Sequence, residues 1–167
     1  APSYNEHAAA LRAQGWVVAD IAEPEGMAGV HLAVVVNPNN PDGRTWSPET
    51  LEVLAAQVGV LVVDESFADP HPELSLAPRL ADLGERVLAL RSFGRFYGLA
   101  GLRLGFALGG AETIARLRAL AGPWAVGGPA IAIGQTALAD RAWQQTTTAR
   151  LIRDVARLDQ LATAAGW

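Results

Sequence analysis

Residues 31–43 read HLAVVVNPNNPDG. The run His31 to Val36 is apolar and β-branched, and a dense Asn/Pro/Gly cluster follows it. That pattern predicts a buried strand that ends in a loop. Residues 60–67, VLVVDESF, repeat it: a four-residue apolar strand, then Asp64 and Glu65 at its carboxyl end. Between them Ser47-Pro48-Glu49 opens a helix, with Ser47 as N-cap and Pro48 in the first turn. Leu51, Leu54, Ala55 and Val58 form its apolar face. Strand, helix, strand with near-continuous apolar strands argues for an α/β fold whose sheet is covered on both faces.

The pattern extends in both directions. Upstream, Ser3-Tyr4-Asn5-Glu6 is a capping-box sequence, with Ser3 as N-cap of a helix that reaches Gln14 and stops at Gly15. Trp16 to Ala19 reads as a short strand. Downstream, a short helix is expected near 78–83 and strands at 87–90 and 104–108. Helices are expected over 112–120, 129–139 and 141–164. In the last, Leu151, Val155, Leu158 and Ala162 recur at helical spacing.

The chain has 167 residues, 50% of them hydrophobic and 18% charged. This suits one packed domain rather than a disordered segment. A formal net charge of −4 with no basic block argues against nucleic-acid binding. No apolar stretch is long enough for a transmembrane helix, and the start is not a signal peptide. There are no cysteines, which excludes disulfides and thiolate chemistry. All 13 basic residues are arginine. Without a lysine, no side chain can supply a primary amine.

In an open α/β sheet, ligands sit beyond the carboxyl ends of the strands. Asn40, Asp64 and Ser92 all fall there. Taken singly, each has a plain structural role: a turn for Asn40, a cap or ion pair for Asp64. As ligand groups, Asp64 suits a protonated ring nitrogen and Asn40 a ligand oxygen. Ser92 and Arg103 suit a phosphate, through a hydroxyl and a forked guanidinium. No Gly-x-Gly-x-x-Gly loop or P-loop favours a nucleotide.

The ordered set 37–43, 64–67 and SFGRFYGLAGLRLGF at 92–106 resembles the fold-type I pyridoxal-phosphate (PLP) enzymes. Within them it is closest to the threonine-phosphate decarboxylase and histidinol-phosphate aminotransferase group. The resemblance implies the large domain of that fold, a three-layer α/β structure on a mixed, mainly parallel sheet. Residues 1–167 would be an incomplete domain, truncated at both ends. The long helix 141–167 would lead toward a missing small domain.

The resemblance also implies roles. Tyr4 matches the aromatic that stacks on the PLP ring. His7 matches the histidine behind the ring-nitrogen aspartate, and Asp64 matches that aspartate. Asn40 matches the ligand of the ring hydroxyl, and Ser92 and Arg103 match phosphate ligands. Phe67 stands where many relatives have a tyrosine. Arg95 stands where the Schiff-base lysine belongs. A guanidinium stays protonated and is a poor nucleophile, so at most non-covalent PLP is expected. Three functions stay open: a decarboxylase acting on a small phosphorylated amino acid, an aminotransferase, or a catalytically inactive binding or scaffold module. The resemblance further implies a cytoplasmic homodimer.

Overall fold

The computed structural model describes residues 2–167. The chain divides into two compact units, 1–127 and 128–167.

The first unit is built on four strands: β1 (Leu32–Val36), β2 (Val60–Asp64), β3 (Val87–Ser92) and β4 (Gly105–Gly109). They lie in the order β1-β2-β3-β4. β1, β2 and β3 are parallel, and β4 runs antiparallel to β3. The sheet is therefore mixed and mainly parallel, as the sequence implied. Its helices are α1 (Asn5–Ala13), α2 (Pro48–Gln57), the single turn α3 (Leu80–Leu83) and α4 (Ala111–Ala121).

Side-chain alternation along the strands sets which residues face the core. Ala33 and Val35 of β1, Leu61 and Val63 of β2, and Val87 and Ala89 of β3 are buried in one cluster. Leu51, Leu54, Ala55 and Val58 pack on them, as the helical spacing predicts, with Leu76 and Leu80. Ser47 caps α2 by accepting from the Thr50 N–H at 3.2 Å. The alternate positions Val34, Val62, Leu88 and Leu90 are half-buried on the opposite face. Asp64 and Ser92 share that second face: the register pairs Asp64 with Leu90, two residues before Ser92. Both candidate ligands therefore project away from the hydrophobic core.

Two expectations fail. Ser3 does not cap α1; Tyr4 takes the N-cap position without a side-chain bond. The Ser3 hydroxyl instead donates to Asn39 Oδ1 at 2.8 Å, and Asn39 Nδ2 donates to the Pro2 carbonyl at 2.9 Å. A long-range bond has displaced the local one. Nor is 16–19 a strand. Val17 is 100% exposed. This segment and the outer side of β1 both line a cavity of about 870 Å³, so no strand lies beside it to complete a ladder.

The second unit holds α5 (Gly128–Ala139) and α6 (Arg141–Ala164). Asp140 caps α6 by accepting from the Trp143 N–H at 2.9 Å. On α6, Val155 and Leu158 are 56% and 64% exposed, so its apolar stripe is largely uncovered. Among the described residues no helix is long and apolar enough to cross a membrane.

Candidate active site

The strand-end loops are shaped by their own polar side chains. Asn37 is fully buried. Its Oδ1 accepts from the Trp46 N–H and its Nδ2 donates to the Trp46 carbonyl, both at 3.0 Å. Asn39 Nδ2 donates to Asp42 Oδ1 at 2.7 Å, and the Gly43 N–H donates to the Asn39 carbonyl at 2.9 Å. These bonds close the 37–46 loop and leave Asn40 between them. The Asn40 amide has no partner among the described residues.

Asp64, the last residue of β2, is only 6% exposed. A buried carboxylate needs donors, and it has three. His7 Nε2 lies 2.7 Å from Oδ2. With an ionised carboxylate as acceptor, this nitrogen must carry the proton. Ser66 donates to Oδ1 twice, from its N–H at 3.0 Å and its hydroxyl at 2.5 Å. Burial pushes the Asp64 carboxyl up, but the bonds from His7 and Ser66 outweigh it. The group is held below the ordinary aspartate range and stays ionised at neutral pH. Tyr4 meets the His7 ring edge to face at 5.4 Å, one helical turn away.

A second site wall comes from 92–105. Phe93 is buried and stacks on Tyr97 at 4.5 Å, which anchors the loop. Gly94 lets that loop close, because a Cβ there would sit 2.9 Å from Ala100 Cα. Arg103 has φ +53°, a left-handed conformation uncommon outside glycine. Its Nη1 donates to the Ala100 carbonyl at 3.3 Å. The Arg95 guanidinium lies over the Phe67 ring, 5.4 Å from its centroid, in a cation–π contact.

These walls enclose a cavity of about 460 Å³ beyond the carboxyl ends of β1, β2 and β3. Tyr4, Asn40, Asp64, Phe67, Ser92, Arg95 and Arg103 all line it, and His7 reaches it through Asp64. Every site residue expected from the sequence is thus gathered at one place. The sequence reading missed Ser66. The signal was available, since Asp64-x-Ser66 is an Asx-turn pattern. It also missed the Arg91 network behind the cavity. Arg91 donates to Glu65 at 3.0 Å and to Asp69 at 2.9 Å, and Glu65 also accepts from Ser75 Oγ and the Leu76 N–H. Burial works against the Arg91 charge, but Asp69 and Glu65 outweigh it and hold the guanidinium above its ordinary range. No cluster placed to hold a metal ion occurs among the described residues.

A mainly parallel α/β sheet with a carboxylate, hydroxyl and guanidinium around one strand-end cavity defines a domain for small, anionic, nitrogen-bearing ligands. The chain belongs to the aminotransferase class I and II family, whose model matches residues 2–167. It is 42% identical over 173 residues to a threonine-phosphate decarboxylase of Pseudomonas aeruginosa, covering 99% of this chain and 52% of that protein. Its fold matches the histidinol-phosphate aminotransferase of Sinorhizobium meliloti in complex with pyridoxal-5'-phosphate. There the TM-score is 0.83 at 24% identity, over 98% of this chain and 49% of the other. It also matches the L-threonine-O-3-phosphate decarboxylase of Porphyromonas gingivalis, with TM-score 0.74 at 26% identity over 84% of this chain and 45% of the other. The chain thus spans about half the length of these relatives.

Proposed function

We propose that this chain is the cofactor-binding part of a threonine-phosphate decarboxylase-like protein, and that it holds PLP without a covalent bond. The observation that carries this reading is the convergence of seven expected residues on one cavity, with Asp64 braced by His7 and Ser66. Group by group, the lining fits the cofactor. Ionised Asp64 accepts from a protonated ring nitrogen. The unpaired Asn40 amide takes the ring hydroxyl. Ser92 and Arg103 take the phosphate, and Tyr4 covers the ring. Phe67 packs there but has no hydroxyl to donate.

PLP, when bound, serves as an electron sink for the α-carbon of an amino acid. His7 keeps Asp64 charged and oriented, and Asp64 keeps the proton on the ring nitrogen. Arg95 occupies the lysine position. It cannot shed its proton at neutral pH, so it neither attacks a carbonyl carbon nor moves a proton at the α-carbon. The lysine-dependent steps are therefore closed to this chain, and it acts as a binding module. The same reading takes the substrate class as a small phosphorylated amino acid and the whole protein as a cytoplasmic homodimer.

Calorimetric titration of the 167-residue chain with PLP tests the reading. Saturable binding is expected, weakened about tenfold or more by Asp64→Asn. Absence of saturable binding refutes it. With PLP present, threonine phosphate should bind in preference to histidinol phosphate. The reverse order would favour the aminotransferase branch, whose fold this chain equally shares.

A further inference from the structure

Arg95 has a feature that the absence of a lysine does not by itself explain. Among the described residues it has no acidic partner; its recorded contact is the face of Phe67 at 5.4 Å. The other cavity arginines differ. Arg91 is neutralised by Glu65 and Asp69, and Arg103 donates to a backbone carbonyl. Arg95 thus brings an uncompensated, permanent positive charge to the cavity wall, held in place by an aromatic ring that supplies no acceptor for its N–H groups.

The argument rests on the PLP reading above. In that reading Asp64 serves the ring nitrogen, Asn40 the ring hydroxyl, and Ser92 with Arg103 the phosphate. The substituent at ring position 4 is left to Arg95. A guanidinium has five donors and no acceptor. An aldehyde or carboxylate oxygen can accept from it. An aminomethyl group, protonated at neutral pH, brings a second positive charge and only donors. A lysine in this place could lose its proton and relieve that repulsion; an arginine cannot.

We infer that Arg95 makes this cavity selective for phosphorylated pyridines carrying a carbonyl or carboxylate at position 4, and against those carrying an aminomethyl group. Arg95 is then a specificity-determining residue: the chain captures the aldehyde form of the cofactor and rejects the amine form.

The test is calorimetric titration of the 167-residue chain with three probes: pyridoxal phosphate, pyridoxamine phosphate and 4-pyridoxic acid 5'-phosphate. The chain has no lysine to form side adducts with the aldehyde. Pyridoxamine phosphate should bind at least about tenfold more weakly than the other two. Arg95→Gln should bring all three within about threefold of one another, and Arg95→Met does the same if the glutamine variant fails to fold by circular dichroism. Equal binding of the three by the unaltered chain overturns the inference and leaves the PLP reading standing. So does a preference that survives both substitutions. Failure of all three probes to bind overturns both.

Discussion

Removing the His7 ring is the sharpest probe of the site, because it touches one bond of a buried carboxylate. In His7→Ala, Asp64 loses the donor at 2.7 Å and keeps only Ser66. A hydrogen bond to a charged acceptor is worth about 1.5–3 kcal/mol net, and the pair is mostly shielded from water. The expected loss of folding stability at pH 7 is therefore about 2 kcal/mol. The sign of the pH dependence follows from the direction of the shift. The Asp64 carboxyl lies below its ordinary range, so its stabilising share is present above the unfolded aspartate value. That share is lost as pH falls through the lowered, folded value. Without His7, burial dominates and the carboxyl moves up. The gap between the two proteins should be widest near neutral pH and close in acid. Urea unfolding across pH 3 to 8, roughly spanning carboxylate and histidine titration, measures this directly. His7→Gln retains an N–H donor and should recover part of the loss. A deficit under about 0.5 kcal/mol at pH 7, or one that grows in acid, would refute the reasoning.

Three further outcomes are expected. Arg91→Met strands Glu65, which is fully buried, without its cation; unfolding free energy should fall by about 3–5 kcal/mol in urea melts. Gly94→Ala drives a Cβ into the Ala100 backbone, so the 94–100 loop must open; PLP affinity should drop several-fold while α2 and its core keep their hydrogen-exchange protection. Arg95→Lys places an amine in the cavity; PLP should then become fixed to position 95 after borohydride reduction, located by peptide mass mapping, whereas the unaltered chain should show no label there.

Much of the fold was legible because its signals are local. Each parallel strand is an apolar run of four to six residues followed by polar loop chemistry, and α2 carries both its cap and its buried stripe in ten residues. The 141–164 helix matches its expected bounds for the same reason. The failures share a cause as well. Ser3 had the right sequence for a cap, yet a partner 36 residues away took its hydroxyl. Trp16 to Ala19 had strand propensity, yet a strand needs a neighbour. Neither competing partner is visible in a local window.

The site divides along the same line. Chain composition alone decides that no lysine amine exists here, and strand-end position alone places Asp64, Asn40 and Ser92 on one rim, since parallel strands all end on the same side. Only the tertiary structure decides what those groups are. It brings His7 across 57 residues to Asp64, so that hydrogen bonds overcome burial and the carboxylate keeps its charge. It also sets Arg95 on Phe67 with no counter-ion, while Arg91, four residues earlier, is paired twice. Residue identity fixes the kind of charge a side chain can carry. Burial and partners, which depend on distances between segments remote in sequence, decide whether that charge is neutralised or left for a ligand.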